Sequence, residues 1–82
     1  MNQYYTYMTI EGISSLLEVH YEYSGDTWIN VYNWFDRQGD SPDLTNEQIQ
    51  LIANDIRQFE HQRPLGVPAQ ENLRLQFEGL AA

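Results

Sequence analysis

The sequence predicts an α+β fold: an antiparallel sheet of three or four strands with one α-helix packed across one face. Three observations support this fold class. Early runs are rich in β-branched and aromatic residues, a later run repeats apolar residues at helical spacing, and turn residues separate these runs. At 82 residues the chain has room for a single domain over 1–82.

The first three runs predict strands over residues 3–10, 16–23 and 27–35. The first reads QYYTYMTI, without Gly or Pro, and Gly12 marks its end. The second reads LLEVHYEY and alternates apolar with polar residues, as a strand with one buried face does. The turn residues Ser-Gly-Asp at 24–26 then lead into TWINVYNWF. The second and third runs therefore predict a β-hairpin.

The loop length of this hairpin decides which of its faces is buried. A three-residue loop pairs Tyr21 with Ile29, and it pairs Val19 with Val31. The outer face then carries Glu18, His20, Glu22, Trp28, Asn30, Tyr32 and Trp34. A two-residue loop turns the three large aromatic residues of that set inward and Ile29, Val31 and Phe35 outward. We favour the three-residue loop, because an outward Trp or Tyr keeps a polar tip in water.

The segment after the loop at 37–43 predicts a helix over residues 46–61. Thr45 can cap its first turn, and Gln48 can return a bond to the cap. Pro64 ends the helical pattern. The apolar stripe that should face the sheet consists of Ile49, Ile52, Ile56 and Phe59.

The C-terminal segment alternates in the manner of a fourth strand over residues 72–78, with Leu73, Leu75 and Phe77 on one side. The other interpretation is a tail that becomes ordered on a partner or on a second copy. The strand over 3–10 carries no charge or proline, so its edge would be open to pairing. We therefore expect a symmetric homodimer with a continuous sheet.

Charge and composition exclude several functional classes. The chain has 4 basic and 12 acidic residues, a net charge of −8, which disfavours direct contact with nucleic acid or anionic lipid. The same charge favours a partner protein with a basic surface, or serves solubility alone. Without cysteine, the chain has no disulfide and no thiolate ligand or nucleophile. No signal peptide or membrane span is recognisable, so we expect a cytoplasmic protein.

No residue pattern predicts catalysis, a metal site or a cofactor. His20 lies between Glu18 and Glu22 on one face, but zinc needs a further ligand and catalysis needs a nucleophile in a sheltered pocket. We expect no enzyme. Two groups of residues are candidates for partner binding instead. The acidic group consists of Glu11, Glu18, Glu22 and Asp26, and the aromatic group of Trp28, Tyr32 and Trp34. The other interpretation of the aromatic group is that it forms the core.

The stretch 16–57 resembles small proteins encoded by phages and prophages. The resemblance rests on an acidic alternating strand, a second strand, and LTNEQIQLIANDI at residues 44–56, a helix opened by Thr-Asn-Glu-Gln. Among small acidic phage proteins without cysteine, the anti-CRISPR proteins are the best-known functional class. The resemblance implies an inhibitor that binds a host effector complex, in the cytoplasm of a bacterial cell.

The sequence therefore predicts a non-catalytic inhibitor that occupies a basic, nucleic-acid-binding surface of a host protein, such as a nuclease or a CRISPR effector. One alternative is a structural or accessory phage protein that assembles through the aromatic face or the C-terminal strand. A third is a regulatory or antidote partner within a bacterial operon. Of the three hypotheses the inhibitor is the leading one, because negative charge steers association with basic surfaces.

Overall fold

The computed structural model describes residues 2–24, 28–62 and 68–79. Its elements are β1 (Asn2–Ile10), β2 (Ile13–Ser24), β3 (Trp28–Phe35), α1 (Asn46–Gln62) and α2 (Pro68–Phe77). The strands form one antiparallel sheet in the order β1-β2-β3. The predicted α+β class is thus confirmed, whereas α2 was not predicted. Neither helix in the described part of the chain is long and apolar enough to cross a membrane.

A two-residue turn joins β1 to β2. Ile10 pairs with Ile13, and between them Glu11 and Gly12 have φ angles of 52° and 80°. Two successive positive φ values characterise the type I′ turn, whose twist matches that of the flanking strands. Gly12 adopts this conformation without steric cost, but Glu11 does so with a Cβ atom in the left-handed region.

The core lies between the sheet and α1, on what we call the first face. Leu17, Val19 and Tyr21 from β2 meet Ile52 and Ile56 from α1, and all five are fully buried. The predicted helix is thus confirmed, as is its stripe. The two outer members of the stripe, Ile49 and Phe59, are half-buried.

The predicted N-terminal cap of α1 is also present. The Gln48 N–H donates to Thr45 Oγ1 at 3.1 Å, and the Thr45 N–H donates to Gln48 Oε1 at 2.9 Å. These two bonds satisfy backbone donors that the helix itself cannot satisfy. Leu44 precedes the cap and packs against the core. The chain is thereby fixed where it enters the helix.

The predicted strand over residues 72–78 is wrong, because residues 72–77 belong to α2. Pro68 suits the first turn of a helix, where its missing N–H costs no hydrogen bond. Arg74 bonds both Glu71 and Glu78, the i−3 and i+4 partners of a helical surface. These local signals favour a helix over the two-residue alternation. The Phe77 ring packs on Tyr5 at a centroid distance of 5.5 Å, on the second face of the sheet.

The register of the β2–β3 hairpin differs from the predicted one. The structure pairs Tyr21 with Val31 and Tyr23 with Ile29, so the predicted pairs Tyr21–Ile29 and Val19–Val31 are wrong. Ser24 pairs with Trp28, whereas the predicted turn begins at residue 24, so the pairing of β2 extends one residue further than predicted. The β3 partner of Tyr21 thus shifts by two positions, from Ile29 to Val31. A shift of two keeps the alternation in phase, so the predicted faces of Ile29 and Val31 are unchanged.

A β-bulge exchanges the faces of the last residues of β3. His20 pairs with Asn33 and Tyr21 with Val31, which leaves Tyr32 as the additional residue. Beyond the bulge Trp34 pairs with Val19 and packs against the core cluster. The prediction that Trp34 lies on the outer face with Trp28 and Tyr32 is therefore wrong, because one inserted residue reverses the alternation.

Replacing Ile52 by Ala should lower the free energy of unfolding by ~2–5 kcal/mol, because this fully buried side chain would leave a cavity. Its neighbour Leu51 is 57% exposed and provides the control. Leu51→Ala should change stability by no more than about 0.5 kcal/mol. Urea denaturation of both variants measures the difference. Equal losses would contradict the assigned buried face of α1.

Replacing Glu11 by Asn should raise the free energy of unfolding by ~0.5–1 kcal/mol. The left-handed conformation costs an ordinary residue ~1–2 kcal/mol, and Asn tolerates it better. Glu11→Gln removes the same charge without this tolerance and should leave stability unchanged. If both variants were stabilised alike in urea denaturation, charge rather than backbone conformation would be the cause.

Candidate binding surface on the second face of the sheet

The second face of the sheet is only partly covered by α2. Among the described residues, α2 contacts β1 and β2 but not β3. The uncovered area carries large aromatic side chains, since Trp28 is 65% exposed and Tyr32 is 48% exposed. We call this area the β3 strip, and it consists of Glu22, Trp28, Asn30 and Tyr32.

A hydrogen bond fixes one aromatic side chain of the β3 strip. The Tyr32 hydroxyl donates to Glu22 Oε2 on the neighbouring strand. This bond to a carboxylate, more than burial, raises the pKa of Tyr32 above its ordinary value. Glu22 pairs with Asn30, two residues before Tyr32 along β3, so Tyr32 and Glu22 are diagonal neighbours on this face. The strip therefore presents an ordered aromatic ring beside a carboxylate.

Glu18 lies on the same face, but its carboxylate is engaged by contacts within the fold. It accepts a hydrogen bond from the Tyr5 hydroxyl at 2.8 Å, and its other oxygen lies 2.7 Å from His20 Nε2. The Glu18 side chain is only 18% exposed. His20 in turn packs edge-on against Phe35 at a centroid distance of 5.2 Å. Glu18 thus holds two neighbours in place, and little of its carboxylate is displayed to a partner.

The structure does not bring the predicted acidic group together. Glu18 and Glu22 share the second face, as the alternation of β2 predicts. Glu11 lies in the β1–β2 turn, and the strand from Ile13 to Glu22 separates the two ends by roughly 30 Å at ~3.3 Å per residue. Asp26 lies outside the described residues.

The predicted aromatic group is divided between the two faces. Trp28 and Tyr32 are both exposed on the second face, whereas Trp34 is half-buried on the first. The Trp34 indole N–H donates to the Pro42 carbonyl at 2.6 Å, which ties β3 to the loop before α1. Asn30, between the two exposed aromatic residues, was not singled out from the sequence. The alternation of β3 places it on the same face as Trp28, but only the larger aromatic residues were selected as binding candidates.

A groove of about 540 Å³ lies at the other end of the sheet, beside the β1–β2 turn. Its lining includes Tyr7, Ser14, Arg37 and Gln76. Asp36 also lines the groove. Its Oδ1 accepts hydrogen bonds from the backbone N–H groups of Gln38 and Asp40, both at 2.9 Å, which stabilise its loop. Among the described residues, no group of three or more acidic or histidine side chains is arranged to hold a metal ion.

Replacing Tyr5 by Phe should lower the free energy of unfolding at pH 7 by roughly 1–2 kcal/mol, since Glu18 loses a donor. Burial, and then the bond to Glu18, raise the pKa of Tyr5 above 10. An unfolded tyrosine ionises near pH ~10, so above that pH the unfolded state binds fewer protons and stability falls. Tyr5→Phe should therefore also flatten this alkaline loss, by ~1.4 kcal/mol per pH unit.

Tyr4→Phe is the matched control. Burial, and then Asp55, raise the pKa of Tyr4 to about 12, so this variant should also flatten the alkaline loss. No side-chain hydrogen bond from Tyr4 to a described residue is present, so its stability at pH 7 should change less. Urea denaturation between pH 7 and pH 11 separates the two variants. Equal stability of parent and Tyr5→Phe at pH 7 would show that the bond to Glu18 contributes nothing.

Comparison with known proteins adds no relative. The chain matches no protein-family model, no curated protein and no solved structure.

Proposed function

We propose that this chain is a non-catalytic binding protein that occupies a basic surface of a partner protein through the β3 strip. The observation that carries the proposal is the exposure of Trp28 and Tyr32 next to Glu22, on a sheet face that α2 leaves uncovered. Trp and Tyr are enriched among the residues that dominate binding energy at protein interfaces. Exposed aromatic residues rimmed by polar groups are typical of such surfaces.

The charge of the chain supports a basic partner. The net charge is −8, and Arg74 is already paired with Glu71 and Glu78 on α2. A negative field accelerates encounter with a positively charged surface, and salt screens this effect. Charge then acts mainly on the rate of association, while Trp28 and Tyr32 act mainly on the rate of dissociation.

In its specific form the proposal is a phage-type inhibitor that blocks a nucleic-acid-binding surface of a nuclease or CRISPR effector. The sequence resemblance and the acidity support this form. Imitation of the phosphate backbone by a row of carboxylates is less well supported, because Glu18 is engaged within the fold and Glu11 lies at the far end of β2. Trp28 and Tyr32 therefore carry more of the proposed recognition than a row of carboxylates does.

The test begins with capture of bacterial proteins on the immobilised chain at low salt and elution at high salt. The purified partner is then measured by surface biosensor against two variants. Glu22→Lys should slow association and flatten its dependence on salt. Trp28→Ala should accelerate dissociation by about tenfold or more, as for an anchor whose loss costs ~1.4 kcal/mol or above.

The controls are Glu47→Lys and Leu51→Ala, which make matching changes at exposed residues of α1. Leu51→Ala should leave dissociation within about twofold of the parent. Equal effects of Glu22→Lys and Glu47→Lys would assign the rate to net charge and contradict a role for the strip. A partner whose binding resists salt and ignores Trp28→Ala would instead support the structural or accessory alternative.

A further inference from the structure

The two edges of the sheet differ in how their backbone groups are satisfied. At the β1 edge, the Tyr5 N–H donates to Gln70 Oε1 at 2.8 Å, and Gln70 Nε2 donates to the Tyr5 carbonyl at 2.9 Å. Gln48 Nε2 donates to the Thr9 carbonyl at 2.8 Å. A strand arriving at this edge would have to displace both glutamines, so the edge predicted for dimer formation is occupied at these positions.

The β3 edge is open at two residues. Backbone direction alternates along antiparallel strands. Because Tyr5 bonds outward to α2, the alternation through both registers turns the N–H and C=O of Ile29 and Val31 away from β2. The Trp34 N–H is also turned outward and donates to Asn33 Oδ1 at 3.2 Å. None of the described residues bonds the backbone of Ile29 or Val31.

The sequence around this open edge is self-complementary. Residues 28–32 read Trp-Ile-Asn-Val-Tyr, so an aromatic residue, a β-branched residue and Asn30 are followed by the same classes in reverse order. Antiparallel pairing with a second copy about Asn30 sets Ile29 opposite Val31 and Trp28 opposite Tyr32. A two-fold symmetric interface requires such self-complementarity. Each Ile29–Val31 pair then satisfies the outward N–H and C=O groups of both residues.

We propose that β3 binds β3 of a second copy, forming a symmetric dimer with a continuous six-stranded sheet. No residue of β3 is charged, so the pairing opposes no like charges within the strand. The two Glu22 residues are three strand spacings apart, roughly 14 Å, beyond the ~8 Å over which charges interact at physiological salt.

The rest of the fold permits this pairing. α1 contacts β3 from the first face, and among the described residues α2 does not contact β3, so α2 leaves this edge uncovered. Pairing side by side leaves the second face accessible and joins two β3 strips into one surface. This inference is independent of the proposed function, since it concerns the edge of β3 and a second copy of the chain.

The test is sedimentation velocity at ~0.1 mM protein and ~0.15 M salt, because an interface of about five residue pairs falls in the small, weak class. The parent should sediment as a dimer. Asn30→Asp and Asn30→Lys each place like charges directly opposite one another, and each should weaken the dimer at least tenfold. An equimolar mixture of the two should recover the dimer, because opposite charges then face each other.

Recovery in the mixture also shows that both variants are folded. Thr9→Lys adds a charge at an exposed residue of β1 and should leave the dimer intact. A parent that stays monomeric at ~0.1 mM would overturn the proposal, since salt screens most of the net repulsion there. A dimer that neither Asn30 variant weakens, or a mixture that stays monomeric, would overturn the assigned pairing of β3.

Discussion

Burial of β2 from both sides is the constraint on which the rest of this structure depends. Its odd residues Leu17, Val19 and Tyr21 have no exposed surface and form the floor on which α1 packs. Even the hydroxyl of Tyr21 is satisfied, since it donates to Glu60 Oε2 at 2.5 Å. Fully burying an apolar side chain contributes ~1.5–3 kcal/mol before entropy, so this contact dominates a small core. The strand must therefore keep its register, because a shift of one residue would expose all three.

The even residues of β2 meet a different requirement. Glu18 and His20 point towards the second face, where α2 and Phe35 withdraw them partly from water. A carboxylate in such a place needs donors, and Tyr5 and His20 provide them. Further along β2, Glu22 is exposed and accepts a hydrogen bond from Tyr32. The change from a structural to a displayed carboxylate occurs within four residues of one strand.

Some features that depend on neighbouring residues were predictable from the sequence, although the local signals of α2 were missed. Features that depend on distant residues were not predictable. The Thr45–Gln48 cap follows from local spacing, so it could be recognised without a fold. The bulge at Tyr32 has no local signal, because its sequence alternates no differently from a regular strand. The contact of Gln70 with Tyr5 joins residues 65 positions apart. For the candidate site, Trp28, Tyr32 and Glu22 were found from alternation, while the departure of Trp34 followed from the bulge.

The Gln70 amide acts on Tyr5 as a single residue of a neighbouring strand would, donating to its carbonyl and accepting from its N–H. These two hydrogen bonds come from α2, which is synthesised after β1. A growing chain that has not yet reached Gln70 therefore lacks the partner that the Tyr5 N–H and C=O have in the folded protein. A strand edge with unpaired N–H and C=O groups can form incorrect β-pairing with another chain. Satisfaction of the β1 edge at Tyr5 thus depends on α2, and removal of α2 would leave these two backbone groups without Gln70.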